Sequence, residues 1–205
     1  MQDEKDNNLP MQGLLSREDA MKMVYGFTRT QDKIVSTTGM LSRELEEFQA
    51  SLAPEEQAGT LLVVGGMGHA SSIALGIAVS KPQIRVWCFD GDGAVLMHLG
   101  SLPVIANIEP TNYLHVVFDN GAHDSVGGQL TLLGKSDLTG IAREAGYTRA
   151  YTANSEEQIS EKLEQMLAFP GPALLVIKVK TGSRSDLGRP KKTPSELKSI
   201  LMKSF

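Results

Sequence analysis

The chain has 205 residues, of which 41% are hydrophobic; 20 basic residues stand against 24 acidic ones for a formal net charge of −4, and there is one cysteine. That length suits one domain with a full core, the scattered basic residues exclude a nucleic-acid footprint, and a single cysteine excludes a disulfide within the chain. No apolar stretch reaches membrane-spanning length and the polar start MQDEKDNN has no signal-peptide core, so no membrane partner and a cytoplasmic address are expected.

A polar extension is expected over residues 1–15. Ser16 with Asp19 then resembles a capping box ahead of a helix to about Thr28. The first candidate strand, Lys33–Thr37, runs into STTGM at Ser36–Met40. The second, Leu61–Val64, is followed by Gly65-Gly66-Met67-Gly68 and the small-residue helix HASSIALGIA. The third, Ile84–Asp90, carries Cys88 inside the apolar run IRVWCF, which reads as a buried structural thiol. It ends in the turn Gly91-Asp92-Gly93, and a helix begins at Ala94. The fourth strand, Tyr113–Asp119, contains His115, read as a core histidine with its hydrogen bonds satisfied. Gly146–Tyr151 and Ala173–Val179 complete the set, separated by a helix that Ser155 and Gln158 open. Thr181–Lys192, with two glycines and a proline, reads as a mobile stretch before a last helix opened by Thr193-Pro194 and Glu196.

Strands and helices alternate throughout, and runs such as LLVV, LHVVF and ALLVIKV suit strands buried on both faces. The expectation is an α/β fold: a doubly wound, mostly parallel six-stranded sheet over residues 16–180, with a tail and helix over 181–205. Ligands of such sheets collect at the carboxyl ends of the strands. A glycine pair opening a helix there favours phosphate, yet Asp92 between Gly91 and Gly93 would repel it. A divalent cation between the two resolves the conflict, because Mg²⁺ accepts one or two protein oxygens and completes its shell with phosphate and water. A second oxygen donor is then required at a neighbouring strand end, and Asn120 stands there, 28 positions after Asp92.

GDG, a gap of this length and an asparagine closing an apolar strand resemble the cation and diphosphate motif of thiamine-diphosphate-dependent enzymes. The resemblance implies that Asp92 and Asn120 bind Mg²⁺ through side chains and Ala122 through its backbone oxygen, with Gly91, Gly93 and Ala94 lining the diphosphate of thiamine diphosphate. It further implies that Gly65, Gly66 and Met67 meet the aminopyrimidine, and that the loop holding Thr37 and Thr38 closes over the diphosphate. Where the family usually has two asparagines, this chain has Asp119-Asn120. A nicotinamide-binding reading of GGMGHAS lacks the third glycine and leaves Asp92 without a purpose.

The family activates its cofactor through a glutamate in a separate pyrimidine-binding domain, and this chain holds strands for only one sheet. The expected partner is therefore a pyrimidine-domain subunit carrying that glutamate, in a hetero-oligomer, with this chain as a second subunit or an excised half. GAHDSVGGQ and TGSRSDLGRP narrow the resemblance to phosphonopyruvate decarboxylases, with sulfopyruvate decarboxylases beside them. It implies decarboxylation of 3-phosphonopyruvate, a small anionic 2-oxo acid. His123 and Asp124 are candidates for proton handling and Ser125 for substrate contact. Arg184 and Arg189 either fork onto phosphonate oxygens or sit in a solvated tail. A cofactor-binding module without chemistry and a synthase using the same motif are the alternatives.

Overall fold

In the computed structural model the described residues are 14–205, and the extension expected over 1–15 lies outside them except for its last two residues. Six short apolar runs become strands: β1 (Lys33–Ser36), β2 (Gly59–Leu62), β3 (Val86–Gly91), β4 (Tyr113–Asp119), β5 (Arg149–Ala153) and β6 (Ala173–Lys178). They form one all-parallel sheet in the order β2-β1-β3-β4-β6-β5. Among the described residues the helices are α1 (Arg17–Tyr25), α2 (Met40–Ala50), α3 (Ala70–Ser80), α4 (Asp92–Met97), α5 (Ser101–Ile108), α6 (Leu138–Glu144), α7 (Glu156–Leu167) and α8 (Pro194–Lys203).

The period-2 alternation of the strands divides the core in two. Trp87 and Phe89 of β3 and Leu114, Val116 and Phe118 of β4 face α1, α2 and α7. Val86 and Cys88, with Tyr113 and Val117, face α3, α5 and α6. Both faces are covered, as a doubly wound sheet requires, and Cys88 is fully buried. No helix of the described residues is long and apolar enough to cross a membrane.

The helix signals hold with small changes of boundary. Ser16 accepts the Asp19 N–H at 3.0 Å, although α1 ends at Tyr25 and not near Thr28. Thr193 and Glu196 form a complete capping box at α8. Ser155 caps α7, while Gln158 reaches the N–H of Asn154 at 3.1 Å. Gly146 does not begin a strand. It lies at φ 112°, and the bonds Tyr147 N–H to Ala142 and Gly146 N–H to Arg143 make it the left-handed close of α6. β2 starts at Gly59, earlier than its apolar run, because register with Lys33 extends the pairing to a residue with no side chain.

The stretch expected to be mobile is anchored. The Gly182 N–H donates to Asp124, Arg184 pairs with Glu18 and Glu47, and the Gly188 N–H donates to Glu47 at 2.8 Å. Beyond it α8 packs along β2 at the sheet edge.

Candidate functional site

β1 leads into α2 on one face of the sheet and β3 leads into α4 on the other, so the two chains diverge at their carboxyl ends. A crevice opens where neighbouring strands diverge in this way. Its two lips are pinned, since the Thr37 N–H donates to the Phe89 carbonyl at 2.8 Å. Four loops line the resulting cleft: Thr37, Thr38 and Gly39 after β1, Met67 after β2, Gly91, Asp92, Gly93 and Ala94 after β3, and Asn120 with Ala122–Val126 after β4.

The last of these loops is a small hairpin of its own. Ala122 bridges Leu130, the His123 N–H donates to Gln129, and the Thr131 N–H returns to Gly121. Gly127 at φ 120° and Gly128 at φ 75° turn the tip, a conformation that a side chain would strain. The hairpin leans on the loops beside it. A Cβ at Gly93 would lie 2.4 Å from His123 Cε1, and one at Gly39 would lie 3.3 Å from Ser125 Oγ. A side chain at position 93 would displace the imidazole that packs there.

Asp92 is 2% exposed and accepts the Thr131 hydroxyl. Burial, with the Asp119 charge adding to it, pushes its carboxyl up to about 6. Among the described residues no lysine, arginine or histidine pairs with Asp92, whereas Asp119 is held by Lys178. Two buried carboxylates with one lysine leave negative charge that a low-dielectric site tolerates poorly without a cation. Nearby, Thr37 Oγ1 is buried without a hydrogen-bond partner at the cleft wall, free to bond an incoming oxygen. Both features fit a divalent cation with a diphosphate: Asp92, the Asn120 amide oxygen and the Ala122 carbonyl would hold the ion.

The cleft also gathers His123, Asp124 and Ser125. The Oδ2 of Asp124 already accepts from Arg17 at 3.0 Å, from the Asn120 amide at 2.6 Å and from the Gly182 N–H at 3.0 Å. Gly65 and Gly66 stay outside the lining, as do Arg184 and Arg189. Arg184 directs its guanidinium to Glu18, Glu47 and Asp186, and Arg189 is exposed. His69 and His98 stack at 4.5 Å, also outside the cleft lining. His115 is buried as expected but not satisfied: neither ring nitrogen has a hydrogen-bond partner, and Nε2 lies 3.5 Å from Asp90. Arg17 lines the cleft and was not legible in the sequence, since its partners Glu44 and Asp124 lie far along the chain. A roomier hollow of about 640 Å³ lies at the amino ends of β1 and β2 under α8, and none of the loops described above reaches it.

A parallel sheet with a polar cleft at its switch point defines an open α/β cofactor-binding domain. Residues 37–177 match the thiamine pyrophosphate enzyme, C-terminal TPP binding domain, and the chain belongs to that family. It is 42% identical over 164 residues to a phosphonopyruvate decarboxylase of Streptomyces viridochromogenes, covering 80% of this chain and 40% of the relative. It is 37% identical over 142 residues to the sulfopyruvate decarboxylase subunit beta of Methanocaldococcus jannaschii, covering 69% of this chain and 72% of the relative. The chain thus spans about two fifths of the phosphonopyruvate decarboxylase it matches. The fold is shared with the thiamine diphosphate-dependent 4-hydroxybenzoylformate decarboxylase of Rhodococcus jostii RHA1, with a TM-score of 0.69 at 16% identity over 84% of this chain and 34% of that one.

Proposed function

We propose that this chain supplies the diphosphate-binding half of a thiamine-diphosphate- and Mg²⁺-dependent decarboxylase that converts 3-phosphonopyruvate to phosphonoacetaldehyde and carbon dioxide. The observation that carries the reading is the buried, cation-free carboxylate of Asp92 set between Gly91 and Gly93, opposite Asn120 and Ala122. When bound, the cofactor supplies an electron sink for the pair of electrons left by the departing carboxylate. The chain's own residues bind and orient. Asp92, Asn120 and Ala122 hold the ion, and the Thr37 hydroxyl with the backbone of Gly91, Gly93 and Ala94 receives the diphosphate. Thr38 belongs to the same closing loop, and Met67, half exposed at the rim, offers an apolar support for the bound cofactor. His123 stands beside Gly93 as the group for proton handling, and Ser125 offers a hydroxyl to the substrate. Asp124, tied to Arg17, serves as part of the frame.

The described residues contain one sheet, and no second sheet is present among them to receive the pyrimidine ring. The proposal therefore includes a partner subunit or domain carrying the activating glutamate, in a cytoplasmic hetero-oligomer. Support comes from the Methanocaldococcus jannaschii relative, which is itself a subunit beta. The second reading, a sulfopyruvate decarboxylase beta subunit, draws on the larger share of that relative covered, 72% against 40%. Identity favours the phosphonate reading, 42% against 37%. The test mixes the chain with its pyrimidine-domain partner, Mg²⁺ and cofactor, and follows carbon dioxide release from each oxo acid. Turnover of 3-phosphonopyruvate only in the mixture is the expected result. Full turnover by the chain alone defeats the half-site idea, and turnover of sulfopyruvate only replaces the substrate.

A further inference from the structure

We infer that Arg17 and Asp124 are positioning residues that fix which atom of Asn120 faces the ion, an inference resting on the metal reading above. An asparagine amide is nearly symmetric in shape, so a side chain expected to offer oxygen to a cation can equally present its NH₂ unless a neighbour decides. Here the neighbour is Asp124. A carboxylate only accepts, and its Oδ2 lies 2.6 Å from Asn120 Nδ2, which forces the amide nitrogen to that side and leaves Oδ1 as the ligand atom. Asn120 Oδ1 has one protein contact, the Ala122 N–H at 3.3 Å, and so retains a lone pair for an ion.

Asp124 is held in turn. Arg17, 6% exposed, donates Nε and Nη2 to the two oxygens of Glu44 at 2.9 Å each and Nη1 to Asp124 at 3.0 Å. The fork onto Glu44 fixes the guanidinium plane, and in that plane Nη1 is aimed at Asp124. The Gly182 N–H adds a further bond to the same Asp124 oxygen. The arrangement runs from α2 through Arg17 of α1 to the hairpin after β4. Reversal of the Asn120 amide would set its oxygen against the Asp124 carboxylate and its NH₂ against the Ala122 N–H, losing both of its bonds. Outer partners of this kind alter metal affinity by roughly 10–100-fold when removed.

The test uses the full chain labelled with ¹⁵N-asparagine, the Asn120→Ala spectrum identifying the signal. Without any metal, one Asn120 amide proton should be shifted downfield and slow to exchange, and both properties should vanish in Asp124→Ala, which removes the accepting oxygen. With thiamine diphosphate and the pyrimidine-domain partner added, Mn²⁺ titration followed by electron paramagnetic resonance should show at least about tenfold weaker binding in Asp124→Ala. Arg17→Gln combined with Glu44→Gln avoids a stranded buried carboxylate, and should weaken Mn²⁺ binding about threefold or more in a chain with an unchanged circular dichroism spectrum. An Asn120 amide signal identical in wild type and Asp124→Ala overturns the inference, as does Mn²⁺ affinity unchanged in both variants. If the wild-type chain mixed with cofactor and its pyrimidine-domain partner binds no Mn²⁺, the metal reading itself fails, and the metal-free amide signal still decides how Asn120 is oriented.

Discussion

The two ends of the sheet treat buried polar groups in opposite ways. At the amino ends of the strands single side chains gather several hydrogen bonds: Asp32 takes the indole N–H of Trp87 at 2.8 Å, Arg85 Nε at 2.8 Å and the Arg29 N–H at 3.1 Å. Asn112 donates to Ala78, Lys81 and Ile84, and Arg149 to Met166, Phe169 and Gly171. At the carboxyl ends, and in the layer beneath, Thr37 Oγ1, Asp90 Oδ2 and both nitrogens of His115 are buried without partners, and Asp92 has no cation. Tyr147, whose hydroxyl is also unpartnered, is the one such group from the opposite side. The contrast teaches where stability is made and where it is given up: one end closes the fold, and the other leaves buried polar groups uncompensated.

Four substitutions break or sharpen that contrast. The largest effect belongs to Asp32→Ala, which strands Arg85 and Trp87 and should cost about 3–5 kcal/mol in a urea melt with no change in ion binding. Loss of ion affinity with that variant would mean the ends are not independent.

Asp92→Asn should act in the reverse sense. The folded carboxyl titrates near 6 against 3.8 unfolded, so between those values the folded state binds more protons and stability falls as pH rises. The ion-free wild type should therefore lose on the order of 1–3 kcal/mol from pH 4 to pH 7, relative to Asp92→Asn, when both are melted across that range. The variant should bind no Mn²⁺. A wild type without this extra pH dependence would show Asp92 to be compensated already.

Thr37→Val removes a buried hydroxyl that nothing satisfies, and should stabilise the ligand-free chain by about 1 kcal/mol while weakening thiamine diphosphate about tenfold by calorimetry. Unchanged cofactor affinity would remove Thr37 from the proposed site. Thr193→Ala, at the cap of α8, should lower stability by only about 0.5–1 kcal/mol and leave the cleft untouched. An effect on cofactor affinity there would show that α8 communicates with the switch point.

How much of this was legible in the sequence follows the range of each interaction. The strands were, because a both-faces-buried strand writes itself as a local apolar run. The loops of the cleft were legible because topology sends GDG, STTG and the asparagine to one end of the sheet. Gly146 misled because a left-handed helix close and a strand start both follow a turn signal. Arg17 was invisible: its role needs Glu44 and Asp124, 27 and 107 residues away. Arg184 looked like an anion ligand in isolation, but three carboxylates contributed by distant segments and by the tail claim it. The tail looked mobile because two of its anchors are single backbone donors, Gly182 and Gly188, which carry no compositional mark, and the third, Arg184, depends on Glu18 and Glu47 far along the chain.

The bond from Thr37 to Phe89 extends a parallel ladder that already joins β1 to β3 from Lys33 to Ser36. A mouth framed by such a ladder keeps a constant gauge, whatever passes through it. Adaptation to a new guest then falls to the tip of the hairpin after β4, where Gly127 and Gly128 turn the chain beyond the bonds that hold Asp124, and diversification of this scaffold should concentrate there.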